Sequence, residues 1–392
     1  MSASPSPQSP APVAARAGNP FAGIESPFFW PVGIALSLES QAFASAEKGM
    51  KFLREVVQTE IMRPKPGWAT ANRIVTELHT MTLRDFSAPT ARDEIPTFIL
   101  PPYAGHTSII ADFLPGQSLI ETLLASGLTR VFAADWRSAD PTMRDYDIDN
   151  YLSDLHVAIT DLTGGGYGQV NLVGLCQGGW MAALYTARFP SQIASLTCAG
   201  SPIDTQAGNG DVRQLANKLP MSFYEGLVEA GGGLMRGEFM LEGFKNMHPE
   251  QHMVDKYVNL YLNIDDEAYV RRNENFERWY EYTINLPGRW YLQAVRQLFK
   301  DNLFARGDFV ALGRNVKPQM ITCPLYLMAG EKDDITPPPQ VFNAADLFDT
   351  PADKIVRELI PGGHIGLFMG TVALRDYWPK VAAWLQRQTR RA

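Results

Sequence analysis

Cysteine, histidine and excess positive charge are all scarce in this chain. Three cysteines in 392 residues, Cys176, Cys198 and Cys323, form an odd set without C-x-x-C spacing. They exclude a disulfide framework and a thiolate zinc site, and they suit a reducing compartment. Lys and Arg number 35 against 42 Asp and Glu, a formal net charge of -7, which argues against nucleic acid as the main partner. The apolar run Phe28–Leu38 is broken by Pro31 and is too short to span a bilayer. It reads as a segment packed on the protein's own core, with docking on a lipid or polymer granule as the alternative. The Pro/Ala/Ser-rich residues before it carry a single Arg16 and lack the basic start and apolar core of a secretion signal. They read as a disordered tail, and a cytoplasmic location is the default, with granule association left open.

What is present is a globular composition, 45% hydrophobic and 20% charged, able to bury a sizeable core. A helix is expected over residues 37–58, before the break at Pro64-Lys65-Pro66-Gly67. Short apolar strands at 74–83, 96–100, 131–135, 170–175 and 194–199 alternate with helical stretches at 117–126, 149–162 and 177–189. From 205 to 317 the chain turns helix-like and rich in Met and aromatics, with Gly231-Gly232-Gly233 reading as a hinge. Strands return at 324–329 and 355–360, and a helix closes the chain over 371–388. The expected fold is therefore α/β, a mostly parallel sheet flanked by helices with an inserted helical cap, in the manner of an α/β-hydrolase. Its parts are a tail (1–24), an N-terminal helical segment (25–70), a core in two pieces (71–204 and 318–392) and the cap (205–317).

The run VNLVGLCQGGWMAALYTARF, residues 170–189, joins an apolar strand to an amphipathic helix through Gly174-Leu175-Cys176-Gln177-Gly178-Gly179. That pattern is a nucleophile elbow with cysteine in the usual serine position. Its glycines remove side chains that would clash at a sharp turn, and the following helix aims its free amides at the thiol. The partners must follow in the order nucleophile, acid, base. The strand PLYLMAG leads into Glu331-Lys332-Asp333-Asp334, and the last strand leads into Pro361-Gly362-Gly363-His364-Ile365-Gly366. The catalytic set is therefore Cys176, Asp333 and His364, with Asp334 as the second choice of acid. Backbone amides of Gln177 and of Tyr103 or Ala104 are expected to hold the oxyanion. His106, Trp180 and Asp334 are candidates for lining the site, although His106 could equally shape its loop. His79 and His156 read as ordinary residues. His248 and His252 stand one helical turn apart without further ligands, so no metal site is expected. The cap aromatics Phe276, Trp279, Tyr280, Tyr282, Trp290 and Tyr291 read as cap core, with an apolar groove as the alternative.

From about Thr97 onward the chain resembles the polyhydroxyalkanoate synthases and intracellular polyhydroxybutyrate depolymerases, cysteine-type α/β-hydrolases. NLVGLCQGG and PGGHIG are similar to the synthase branch. PPYAGHTSII, AGSPIDTQ, the stretch from His248 to Tyr282 and GEKDDIT are similar to the depolymerase branch. In synthases histidine typically follows the triad aspartate, whereas Asp334 follows Asp333 here. The resemblance implies 3-hydroxyacyl units as substrate, either as polyester or as coenzyme A thioester. Beyond coenzyme A as substrate or acceptor, no cofactor is expected. The resulting expectation is a depolymerase cleaving polyester through a cysteine acyl-enzyme. The alternatives are a synthase polymerising 3-hydroxyacyl-CoA, with or without a partner subunit, and a granule-associated binding protein with a vestigial site. A homo-oligomer is compatible with each.

Overall fold

A computed structural model describes residues 46–62, 64–89, 94–166, 168–247 and 256–389. The disordered-tail and Phe28–Leu38 expectations, and His248 and His252, lie outside the described residues. The described chain forms two compact units, one from the stretches before 63 and between 250 and 274, the other from the rest. In the smaller unit the helix Ala46–Val56 continues as a π-helical turn, Val57–Ile61. Its Phe52 is fully buried against Tyr257 and Tyr261 of the helix Lys256–Leu262.

The larger unit is built on one eight-stranded sheet. Numbering only its strands, these are β1 Arg73–Glu77, β2 Met81–Asp85, β3 Thr97–Leu100, β4 Val131–Trp136, β5 Val170–Leu175, β6 Ile193–Ala199, β7 Leu325–Gly330 and β8 Ile355–Ile360. Their order is β1-β2-β4-β3-β5-β6-β7-β8. β2 runs antiparallel to both β1 and β4, and the remaining neighbours are parallel. This is the α/β-hydrolase arrangement. Strands β3, β5 and β7 are buried throughout, so they read as continuous apolar runs and not as alternating ones. Alternate side chains feed two cores, with Phe98, Leu172 and Leu327 on one face and Ile99, Val173 and Met328 on the other.

Local signals set the flanking helices. Ser118 accepts the Glu121 amide at 2.9 Å to open the helix Leu119–Ala125. Asp147 and Asn150 form a reciprocal capping box before Ile148–Leu162. The single strand expected over 74–83 is a hairpin instead, because the Leu78 amide folds back to the Met81 carbonyl at 2.8 Å.

Between β6 and β7 lie the helices Asp211–Lys218, Met221–Ala230, Gly237–Met247, Lys256–Leu262, Glu267–Glu281 and Gly288–Gln293. The glycine triplet is a helix terminator and not an open hinge. Gly231 and Gly233 donate to Leu227 and Val228, and the chain then enters a short strand pair between Leu234–Met235 and Leu286–Pro287. Among the described residues no helix is long and apolar enough to cross a membrane.

Candidate active site

Cys176 is the hinge residue between β5 and the helix Gln177–Arg188, with φ 49° and ψ -121°. A non-glycine residue in that region carries strain of about 1–3 kcal/mol and persists only where its surroundings enforce it. Here the Cys176 amide donates to the Ala199 carbonyl at 2.8 Å, and its carbonyl accepts the Gly179 amide at 2.9 Å. A Cβ on Gly178 would overlap the Leu100 carbonyl at the end of β3, and one on Gly174 would overlap the Gly179 backbone. The two glycines therefore let the first helical turn sit directly on the sheet edge, leaving Cys176 half-buried at the turn.

The carboxylate and imidazole arrive from the ends of β7 and β8, which lie beyond β6 in the sheet. Asp333, buried, stands in the turn after β7, where Oδ1 accepts the amides of Ile335 at 3.1 Å and Thr336 at 2.7 Å. Its Oδ2 accepts the His364 Nδ1–H at 2.7 Å. His364, on the loop after β8, is buried and within electrostatic reach of Cys176. Burial opposes charge on the ring, but the charges of Cys176 and Asp333 outweigh it and hold the His364 pKa well above its ordinary value. The structure thus brings together Cys176, Asp333 and His364. Asp334 points elsewhere: it is exposed, and its carbonyl accepts the Asp211 amide at 2.7 Å.

Cys176, Gln177 and Ala104 share the wall of a cavity of about 520 Å³. Most of the remaining wall is apolar, including Met235, Phe239, Trp290 and Tyr291, and Phe223 lies at its exposed side. The cap aromatics therefore divide: Trp290 and Tyr291 face the cavity, while Trp279 and Tyr280 are buried against His106.

Besides Asp333 and His364, four expected site residues lie off the cavity wall. Tyr103 packs its ring 5.0 Å from Tyr151 and 5.4 Å from Trp290, and its hydroxyl reaches the Arg137 and Asn285 carbonyls at 3.1 and 2.9 Å. Trp180 is buried in the core, with its ring centroid 5.9 Å from that of Trp290. His106 stacks on Trp279 and Tyr280, and Asp334 is turned outward. Thr336 and Ile335, which do line the cavity, were not expected; their position follows from the turn that Asp333 anchors. The other two cysteines are of a different kind. Burial pushes the Cys198 thiol far up and that of Cys323 to about 12.

This arrangement can generate a thiolate, accept an acyl group on it and hand the group on. A family described as "Protein of unknown function (DUF3141)" matches residues 64–375. The chain belongs to that family. It is also 27% identical over 331 residues to "Poly(3-hydroxyalkanoate) polymerase subunit PhaC" of Haloferax mediterranei, covering 82% of this chain and 64% of that protein. To the protein of the same name from Synechocystis it is 24% identical over 376 residues, covering 92% of this chain and 96% of the other. The chain thus spans just under two thirds of the Haloferax relative. Among solved structures, a thermophilic esterase from Thermogutta terrifontis superposes with a TM-score of 0.47 at 14% identity, covering 82% of this chain and all of the other.

Proposed function

We propose that this DUF3141 member is an acyltransferase of the polyhydroxyalkanoate synthase type, using Cys176 as acyl carrier, His364 as base and Asp333 as its orienting acid. The observation that carries the reading is the strained Cys176 within electrostatic reach of a buried His364 that is itself held by Asp333 at 2.7 Å. His364 takes the Cys176 proton, and the thiolate attacks the carbonyl of a 3-hydroxyacyl-CoA thioester. The C–S bond to coenzyme A breaks, and the departing thiolate takes the proton back from His364. The hydroxyl of a second 3-hydroxyacyl group then attacks the Cys176 thioester with His364 as base, forming an ester and restoring the thiol.

The direction of reaction is supported by the relatives, which are named as polymerases, so the depolymerase leaning of the sequence motifs gives way to the synthase alternative. Chemistry favours the same choice. Exchange between two thioesters is nearly isoenergetic, so an acyl-cysteine retains the driving force needed to make an ester. A mostly apolar cavity around Cys176 also disfavours water as the acceptor.

The test is a side-by-side incubation of the purified protein with 3-hydroxybutyryl-CoA and with amorphous polyester granules. Release of coenzyme A with accumulation of insoluble polyester supports the proposal, and Cys176→Ala abolishes both. Soluble 3-hydroxy acids from granules without turnover of the CoA thioester would assign the protein to depolymerisation instead.

A further inference from the structure

The loop after β3, which carries the candidate oxyanion residue Ala104, is fastened to a segment far along the chain, Trp279–Asn285. The Ile284 amide donates to the Gly105 carbonyl at 2.9 Å, and His106 forms an antiparallel bridge with Thr283. Trp279 Nε1–H donates to the Thr107 carbonyl at 3.4 Å, and the Tyr103 hydroxyl reaches the Asn285 carbonyl. At the centre is His106, whose Nε2 lies 3.0 Å from the Tyr280 carbonyl oxygen. Its ring stacks on Trp279 with centroids 4.9 Å apart and on Tyr280 at 5.2 Å.

A carbonyl oxygen only accepts, so Nε2 carries the proton. Burial pushes the His106 pKa down to about 4, which keeps the ring neutral near pH 7. Gly105 turns the chain at φ 86°, and a Cβ there would lie 3.1 Å from Met240 Cβ. The turn between His106 and Ala104 is therefore both sharp and tightly backed.

We infer that His106 is a positioning residue for the oxyanion site: by tying its loop to Tyr280, it sets where the Ala104 N–H points relative to Cys176. The inference rests on the reading of Cys176 as the acyl-accepting thiolate. An oxyanion donor works only within about 2.7–3.1 Å of the developing negative oxygen, and a displacement of about 1 Å forfeits much of its effect.

Two reactions of Cys176 in the full chain separate positioning from thiolate formation. With p-nitrophenyl butyrate, sulfur bonds to the acyl carbon, the carbonyl oxygen becomes an oxyanion, and the C–O bond breaks to release p-nitrophenolate while His364 holds the thiol proton. Iodoacetamide is attacked at a saturated carbon and loses iodide, so no oxyanion forms. In single-turnover measurements His106→Ala is expected to slow acylation about 10–100-fold and leave alkylation within about twofold. His106→Gln, whose amide can still donate to the Tyr280 carbonyl, is expected to recover most of the acylation rate. The inference is overturned by His106→Ala acylating at the wild-type rate, by parallel loss of acylation and alkylation, or by His106→Gln behaving no better than the alanine variant. Should His106→Ala not fold, Trp279→Phe keeps a ring beneath His106 but removes the donor to Thr107. It must then lower acylation selectively, and equal rates reject the inference. A wild-type protein with no acylation burst overturns the reading of Cys176 itself, a different result from a burst that His106→Ala leaves untouched.

Discussion

The His364 Nδ1–H donates to Asp333 Oδ2 across 2.7 Å, and both side chains are buried. This contact fixes one tautomer of the imidazole and leaves Nε2 for exchange with Cys176. Asp333→Asn keeps the shape and loses the charge, and it favours the wrong tautomer. Acylation of Cys176 is expected to fall about 10³–10⁴-fold, followed as nitrophenolate release. Asp334→Asn, at an exposed position, is expected to stay within about twofold of wild type.

His106 supplies an acid sensitivity whose sign can be worked out. Its folded-state pKa of about 4 lies below the ordinary value of 6.5, so between those pH values the unfolded chain binds a proton that the folded chain does not. Stability is therefore full above pH 6.5 and is lost as pH falls towards 4, at no more than about 1.4 kcal/mol per pH unit. The charges felt by the ring, Glu281 and Lys245, pair with each other at 2.8 Å and act in opposite directions. Denaturant melts of wild type and His106→Gln across this window are expected to diverge, with the variant less dependent on pH.

The exposed side of the cavity gives a test of substrate fit. Phe223 is 46% exposed and shares the cavity wall with Cys176. Phe223→Asp is expected to raise KM for an eight-carbon 3-hydroxyacyl-CoA about fivefold, in keeping with the loss of roughly 1 kcal/mol of apolar contact. The four-carbon thioester should be less affected and kcat unchanged. An equal KM for both chain lengths would separate this wall from the acyl chain.

Gly178 tests the elbow. The β-carbon of Gly178→Ala would overlap the Leu100 carbonyl, forcing the helix off the end of β3. A loss of about 1–3 kcal/mol in stability is expected from such overpacking, together with slower acylation.

The elbow could be read from the sequence because its determinants are local: a strand, two glycines and a helix within a few residues of Cys176. Asp333 and His364 were legible because chain order and strand ends restrict where such groups stand. No local pattern separates Asp333 from Asp334; it is the amides of Ile335 and Thr336 that turn the Asp333 carboxylate inward. Loop-shaping by His106 was one of two readings open in the sequence, but the partners of His106 and Tyr103 were not legible, since Tyr280 and Asn285 lie 174 and 182 residues away. The break at Leu78 was not legible because Leu78-His79-Thr80 holds no Gly, Pro, Asn or Asp to mark a turn.

The raised thiol pKa values of Cys198 and Cys323 make the protein its own active-site titrant. With both of those thiols kept protonated and Cys176 alone set on an open cavity wall, a mild alkylating reagent should add one adduct per competent molecule. The stoichiometry then measures the fraction of a preparation whose elbow is correctly formed, before any substrate has been identified.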